Sequence, residues 1–265
     1  MLKDITLGQY FPGDTVVHRL DPRTKIVLLI VYIVALFQAV SWWSYALVAL
    51  ITALVMVLGH ITPKNIFKGL KPMLFIIALT ALLNVFYTKG TPVVEGWIIT
   101  WEGIGRSAQM ILRIVLLIAG TFLLTYTTSP IALTDGLEKL LNPLKKLKVP
   151  VHEMTLMMSM ALRFIPTLIE ETDKIMSAQK ARGADFETGS LMQRAKALLP
   201  LLVPLFVSAF RRADELAVAM ESRCYHGGEG RTRMKQMKLQ GIDYAAFALG
   251  ALFLAAVIVL RHFGL

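Results

Sequence analysis

Two arginines in matched surroundings are the residues of this chain best suited to a specific binding function. Residues 173–183 read Asp-Lys-Ile-Met-Ser-Ala-Gln-Lys-Ala-Arg-Gly, and residues 214–224 read Asp-Glu-Leu-Ala-Val-Ala-Met-Glu-Ser-Arg-Cys. In each run an Asp lies nine residues before the Arg, an aliphatic residue seven before and an Ala four before, with a small residue on either side of the Arg. Arg182 and Arg223 each present a planar fork of N–H donors, which suits a fixed polar contact better than lysine does.

A single arginine of this kind would ordinarily be a helix cap. A basic residue near a helix C-terminus complements the helix dipole, and a Gly after it commonly ends the helix. Two such settings, with four matching offsets before each Arg, indicate instead two equivalent contacts with a symmetric partner, such as a dimer of cytoplasmic ATPases. The predicted contact residues are Ala181, Arg182, Gly183, Ser222, Arg223 and Cys224.

The rest of the sequence holds no constellation of residues that predicts catalysis. The five His residues are scattered, with no pair at metal-ligand spacing, and the single cysteine excludes an internal disulfide and a Cys-based zinc site. No Gly-x-x-x-x-Gly-Lys-Ser/Thr phosphate loop is present. We therefore expect no catalytic residue, no metal site and no cofactor bound by this chain.

Composition places the two arginines in a membrane protein. Hydrophobic residues make up 55% of the 265 residues, and the mean hydropathy is +0.60, whereas soluble domains are about 45–50% apolar. The net charge of +10 indicates cytoplasmic loops before it indicates nucleic-acid binding. The first 25 residues carry no early apolar core, so we expect no cleavable signal peptide.

Five apolar segments are predicted to cross the membrane. Residues 26–59 contain no Asp, Glu, Lys or Arg and are too long for one span, and the basic residues at both ends predict a helical hairpin with its outer turn at 41–44. The same basic-residue bias puts the N-terminus in the cytoplasm and the C-terminus outside. The remaining segments are 73–87, 107–126 and 242–260.

The predicted domains are a membrane domain at 1–126, a cytoplasmic domain at 127–240 and a last span within 241–265. The cytoplasmic domain holds 17 of the 28 basic residues and is predicted to form two long helices, at 153–182 and 190–223. Within the second helix, the uncharged residues 197–210 are too short to span a membrane. We expect them to lie along the inner membrane face, with a buried core helix as the alternative.

Clustered methionines mark a second candidate surface, at Met154, Met157, Met158 and Met160. Unbranched, polarizable Met side chains suit a surface that must fit several partners. Core packing or lipid contact is the alternative interpretation. Arg113, the only formal charge in the fourth span, is either functional or reaches the outer interface by snorkelling.

The sequence resembles the EcfT family, the transmembrane coupling subunits of energy-coupling factor (ECF) vitamin transporters. The resemblance runs along the whole chain, and the two arginine motifs are its most specific part. The second motif reads Ser-Arg-Cys instead of Ala-Arg-Gly and keeps the Arg between two small residues. The matching stretches are His-Arg-Leu-Asp-Pro-Arg-Thr-Lys at 18–25, Arg-Phe-Ile-Pro-Thr-Leu-Ile-Glu-Glu at 163–171, Ala-Gln-Lys-Ala-Arg-Gly-Ala-Asp at 178–185 and Ala-Val-Ala-Met-Glu-Ser-Arg-Cys-Tyr-His-Gly at 217–227.

This resemblance implies an all-α polytopic membrane protein with about five transmembrane helices and a cytoplasmic coupling domain of long crossed helices. Arg182 and Arg223 would each dock in a groove of one of two ABC ATPase subunits, which bind and hydrolyse ATP with Mg²⁺. One or more separate membrane S components would bind the vitamin or micronutrient and rest on the coupling helices. The clustered methionines are our candidate contact for them. The complex is expected in the cell membrane, with no nucleic-acid partner.

Two other functions are alternatives to this interpretation. A secondary transporter would carry ionisable residues at the bilayer midplane and a repeat among its spans, whereas the repeat here lies within 127–240. A passive membrane scaffold is the alternative with no sequence feature against it.

Overall fold

The structure, a computed structural model, describes residues 10–88, 90–91, 100–186, 188, 190–227 and 237–263. In this part of the chain the secondary structure is helical and includes no strand, so the all-α prediction is confirmed. The α-helices are α1 (Val16–Arg19), α2 (Pro22–Gln38), α3 (Trp42–Leu58), α4 (Pro63–Leu70), α5 (Leu74–Tyr87), α6 (Trp101–Thr127), α7 (Pro130–Leu141), α8 (Val151–Ala181), α9 (Leu191–Glu221) and α10 (Gly241–His262).

Apolar helices of membrane-spanning length confirm the polytopic prediction. In the part of the chain that the structure describes, three continuous helical stretches are long and apolar enough to cross a bilayer: Pro63–Tyr87, which joins α4 and α5 through a short 3₁₀ turn, then α6 and α10. The helices α2 and α3 have 17 residues each, about 26 Å at 1.5 Å per residue, the lower limit for a span. Together these elements correspond to the five predicted spans.

The predicted hairpin forms, with a tighter turn than expected. The Ser41 hydroxyl accepts a hydrogen bond from the Ser44 N–H, so α3 begins at Trp42 and the turn is confined to residues 39–41. Trp42 and Trp43 therefore lie in the first turn of α3, where both are exposed. The N-cap serine accounts for the difference from the predicted turn at 41–44.

Arg113 on α6 holds this turn in place. Its Nη2 donates to the Ala39 carbonyl oxygen at 3.1 Å, an acceptor left without a helical partner at the end of α2. Its guanidinium carbon lies 5.8 Å from the ring centroids of both Phe37 and Tyr45, within cation–π distance. Arg113, the charged residue of the fourth predicted span, thus has a structural role at the turn of the α2–α3 hairpin.

The helices divide into two compact units by their contacts. The described residues between 8 and 140 and between 236 and 265 form one unit, and those between 141 and 235 form the other. In the first unit α6 packs against α2, α3 and α5, and α10 packs against α2. Tyr32 of α2 lies against Gly120 of α6 and donates to the Leu116 carbonyl oxygen at 2.9 Å. This division by contacts does not show on which side of the membrane a residue lies. The predicted domain boundaries at 126 and 240 therefore stay a prediction.

A buried polar network joins the first turns of α2 and α10. Asp243 is 1% exposed and accepts hydrogen bonds from the backbone N–H groups of Asp21, at 2.9 Å, and Gln240, at 2.7 Å. Lys25 Nζ donates to the Thr127 carbonyl oxygen at 2.8 Å, which satisfies the last turn of α6. Burial raises the pKa of Asp21, but hydrogen bonds from Arg23 outweigh this effect and hold it below its ordinary value.

Candidate functional site

The two arginine motifs end two helices of equal length. α8 and α9 each contain 31 residues. α9 begins with a capping box, in which the Ser190 hydroxyl accepts the Gln193 N–H and the Gln193 side chain accepts the Ser190 N–H. Pro166 in α8, and Pro200 and Pro204 in α9, are accommodated inside these helices. The predicted helices at 153–182 and 190–223 are thus present within two residues at each end.

An ion pair at the contact between the two helices shows how they are related. Arg212 Nη2 of α9 lies 2.9 Å from Glu171 Oε2 of α8, and the two residues are 41 positions apart. Arg182 and Arg223 are also 41 positions apart. The Glu171–Arg212 contact therefore joins equivalent positions of the repeat.

This relation puts the two arginines at equivalent distances from the contact. Arg182 follows Glu171 by eleven residues, and Arg223 follows Arg212 by eleven residues. At 1.5 Å per residue, each arginine lies about 17 Å beyond the contact along its own helix. The sequence repeat is thus also a structural one, with two matched helix ends.

The backbone at both helix ends has the same hydrogen-bond pattern. After α8, the Ala184 N–H donates to the Gln179 carbonyl at 3.0 Å and the Gly183 N–H to the Lys180 carbonyl at 3.0 Å. After α9, the Tyr225 N–H donates to the Met220 carbonyl at 3.0 Å and the Cys224 N–H to the Glu221 carbonyl at 2.8 Å. Both are Schellman motifs, and each arginine is the cap residue between helix and turn.

The residue after each arginine adopts the left-handed conformation that this motif requires. Gly183 has φ +91°, and Cys224 has φ +56°. Glycine enters this region without strain, whereas a residue with a Cβ is disfavoured there by about 1–2 kcal/mol. Cys224 therefore reproduces the backbone of the glycine in the first motif at some cost in stability.

Both guanidinium groups are available for a partner. Ala181, Arg182 and Gly183 are exposed, as are Ser222, Arg223 and Cys224. Among the described residues, neither arginine side chain makes an ion pair or a hydrogen bond, so neither caps its own helix through its side chain. Their role in partner binding stays a prediction.

The caps predict opposite effects for two small substitutions. Cys224→Gly should raise thermal stability in detergent, because glycine removes the left-handed strain, and should preserve partner binding. Gly183→Ala should lower stability by about 1 kcal/mol through backbone strain alone, since an added Cβ would meet no atom within 4 Å. Thermal unfolding of the purified chain measures both effects, and equal stability of all three proteins would contradict the assigned cap geometry.

Reversing the ion pair tests the contact between α8 and α9. Glu171→Arg should weaken the α8–α9 contact through repulsion from Arg212, and the double variant Glu171→Arg/Arg212→Glu should restore it. The pair is partly exposed, so the expected stability change is small, about 0.2–1 kcal/mol. Cross-linking between cysteines introduced on α8 and α9 is the measurement, and a double variant no better than the single would contradict the assignment.

The same ion pair should respond to acid. A hydrogen bond from the Ser208 hydroxyl, assisted by Arg212, holds the pKa of Glu171 below its ordinary value. A carboxyl whose folded-state pKa is depressed contributes stability above its unfolded pKa and loses it as the pH falls through the folded value. The contribution of Glu171 is therefore complete at neutral pH and lost only below the ordinary glutamate range.

Three of the four predicted methionines lie on the surface of α8. Met154, Met157 and Met158 are exposed, with Met157 at 60%, whereas Met160 is partly buried. The first three recur at the spacing of one helix face.

A larger apolar surface lies on α9 and was not assigned to a partner from the sequence. The segment 197–210 exposes apolar side chains along its length, with Phe210 at 68%, and only Leu201 is buried. The alternative of a buried core helix for this segment is wrong within the described chain. The helical spacing of its apolar residues was the available signal. The exposed residues include Leu199, Val203, Phe206, Val207 and Phe210.

These features define a class of protein, namely an all-α membrane protein with two equivalent, exposed arginine-capped helix ends. Among the described residues no group of three His, Cys, Asp or Glu is placed to hold a metal ion. Known proteins provide independent comparisons. Residues 13–234 match the model of the CbiQ family, described as a cobalt transport protein.

Curated relatives align with almost the entire chain. The energy-coupling factor transporter transmembrane protein EcfT of Ruminiclostridium cellulolyticum is 51% identical over 99% of both chains. The proteins of the same name from Clostridium kluyveri and Bacillus subtilis are 54% and 49% identical, over 99% and 98% of this chain and 98% and 100% of their own. The chain belongs to the EcfT family of energy-coupling factor transporter transmembrane proteins. It is a membrane component of a transporter and not an enzyme.

Proposed function

We propose that this chain is the coupling subunit of an ECF-type ABC importer. Two cytoplasmic ATPase subunits bind at Arg182 and Arg223, one to each helix end. ATP and Mg²⁺ bind in those subunits, and their ATP-driven closure moves α8 and α9. This movement is passed to a separate S component, which binds a vitamin or another micronutrient and releases it into the cell.

The observation that carries the proposal is the pair of equivalent arginine caps. Two exposed guanidinium groups, each about 17 Å along its helix from the contact that joins equivalent positions of the repeat, match the needs of a symmetric dimer better than those of a single partner. Arginine is well adapted to multi-donor contacts with a polar groove. The orientation follows from the basic-residue bias, with the N-terminus and the α8–α9 region in the cytoplasm.

Purification of the tagged chain from its native membrane tests the proposal. Mass spectrometry of what co-purifies should identify ATP-binding-cassette subunits at two per chain, together with one or more small membrane proteins. Uptake by cells that produce the complex should depend on ATP. Recovery of the chain without any ATPase would contradict the proposal and favour a passive scaffold.

The exposed apolar side chains of α8 and α9 support contact with the S component. The double variant Met157→Asp/Met158→Asp should reduce its co-purification, because two carboxylates would have to be desolvated in the interface. ATPase co-purification should be unchanged. A parallel variant, Phe206→Asp/Phe210→Asp, tests the α9 surface. Loss of the ATPases from either variant would show that its surface has been assigned to the wrong partner.

A further inference from the structure

The short helix α4 is amphipathic and lies beside a membrane span. Ile66 and Leu70 are buried in an apolar cluster with Leu123 and Tyr126 of α6. The Tyr126 hydroxyl donates to the Asn65 carbonyl oxygen at 3.3 Å. These contacts anchor one face of α4 at the C-terminal end of a transmembrane helix.

The opposite face of α4 is basic and open. Lys64 and Lys68 lie on α4, and Lys71 directly follows its last residue. All three are exposed and recur at the i, i+4, i+7 spacing of one helix face. Phe67, 70% exposed, lies between this face and the buried one. Such a charged face with an aromatic residue at its edge is typical of helices that lie in the membrane interface.

The sequence around these lysines supplies no counter-charge. No acidic residue occurs between positions 22 and 94. Within the described residues, Lys64, Lys68 and Lys71 make no ion pair. These three lysines stand at the start of Pro63–Tyr87, a continuous stretch long and apolar enough to cross a membrane. Basic residues that flank a span are expected at the level of the lipid headgroups.

We propose that α4 binds the phosphate groups of anionic phospholipids through Lys64, Lys68 and Lys71, with Phe67 inserted among the acyl chains. The positive charge, the depth and the exposed aromatic residue all complement an anionic headgroup. This contact would hold the start of the α5 span at a constant depth in the membrane. It depends on the membrane location of the chain and not on the identity of its partners.

Native mass spectrometry of the purified full chain, titrated with phosphatidylglycerol or phosphatidylcholine of the same acyl chains, tests this. The wild-type chain should prefer phosphatidylglycerol. The triple variant Lys64→Gln/Lys68→Gln/Lys71→Gln should lose that preference by roughly fivefold per lysine. The triple Lys→Arg variant should retain it, since Arg keeps the charge.

A matched control separates this site from general charge effects. Lys145→Gln/Lys146→Gln/Lys148→Gln removes three exposed lysines elsewhere in the chain and should leave the preference unchanged. An equal loss in both variants, or no preference in the wild type, would overturn the proposal. Equal thermal stabilisation by millimolar inorganic phosphate and by phosphatidylglycerol would also overturn it, because the site would then take free phosphate and not lipid.

Topology is checked in the same variants, because the lysines also contribute to the positive-inside signal. In a Cys224→Ser background, a cysteine at Ser41 should react equally with an impermeant reagent in the wild-type and triple-glutamine chains. The proposal would be contradicted if the triple-glutamine chain showed altered labelling but the same lipid preference as the wild-type and Lys→Arg chains. The lysines would then act on membrane insertion alone.

Discussion

Replacement of both Arg182 and Arg223 by alanine is expected to abolish ATPase co-purification and substrate uptake while the chain still accumulates in the membrane. Removing one side of a desolvated charged contact typically costs about 2–5 kcal/mol, because the partner's polar groups are left unpaired. Each single variant should keep one contact and lose part of the assembly. The double variant loses both contacts.

Folding should survive these changes because neither guanidinium makes a hydrogen bond or an ion pair within the described chain. The Schellman turns are made by backbone groups, which alanine retains. Lysine at either position should rescue only in part, since it keeps the charge and loses the planar fork. The measurements are membrane level, ATPase co-purification and uptake for the single, double and Arg→Lys variants.

A matched double variant provides the control. Arg163→Ala/Arg211→Ala removes one exposed arginine from each of the same helices, away from their ends, and should retain ATPase co-purification. A double Arg182→Ala/Arg223→Ala chain that keeps its ATPases and transports normally would reduce the two arginines to helix caps.

The variant Asp243→Ala is expected to cause the largest loss of stability in the membrane unit. Its carboxylate accepts two backbone N–H groups and is almost completely buried. Each buried donor left without an acceptor costs about 1–3 kcal/mol. The carboxylate also attracts the ammonium group of Lys25, so its loss leaves a buried positive charge with weaker compensation.

Thermal unfolding in detergent and the membrane level of the protein measure this loss. Asp14→Ala, which removes an exposed carboxylate from the same unit, should leave both unchanged. The stability of Asp243→Asn should lie between those of Asp243→Ala and Asp14→Ala, because the amide oxygen still accepts one N–H. In a double-mutant cycle with Lys25→Met, the combined loss should be smaller than the sum of the single losses. Additive losses would contradict the electrostatic coupling.

Local sequence patterns were sufficient to predict the spans and the two long helices α8 and α9, but not α1 or α4. The apolar runs and their basic flanks give the spans, since hydrocarbon thickness and loop charge constrain membrane helices strongly. The two arginine motifs were predicted to end helices because Gly and small residues stop a helix in recognisable ways. Both the spans and the helix ends are thus predicted from residues within or directly beside them.

Such local patterns could not predict the tertiary contacts. The Asp21 N–H and the Asp243 carboxylate are 222 residues apart, and no local pattern predicts that the first turns of α2 and α10 meet. Glu171 and Arg212 differ in type although they occupy equivalent positions, so a search for identical residues misses their contact. Arg113 illustrates the same limit, since its partner is a backbone carbonyl of a helix distant in sequence.

The cysteine in the second motif makes the two helix ends distinguishable in experiment. Cys224 is the only thiol of the chain, it is exposed, and it directly follows Arg223. A fluorophore or spin label attached there reports on one of the two proposed ATPase contacts and leaves the other untouched, with no engineered residue. The signal of such a label would follow binding at the Arg223 helix end alone. Comparing it with the binding of both ATPase subunits would show whether the two subunits bind and release together or in turn.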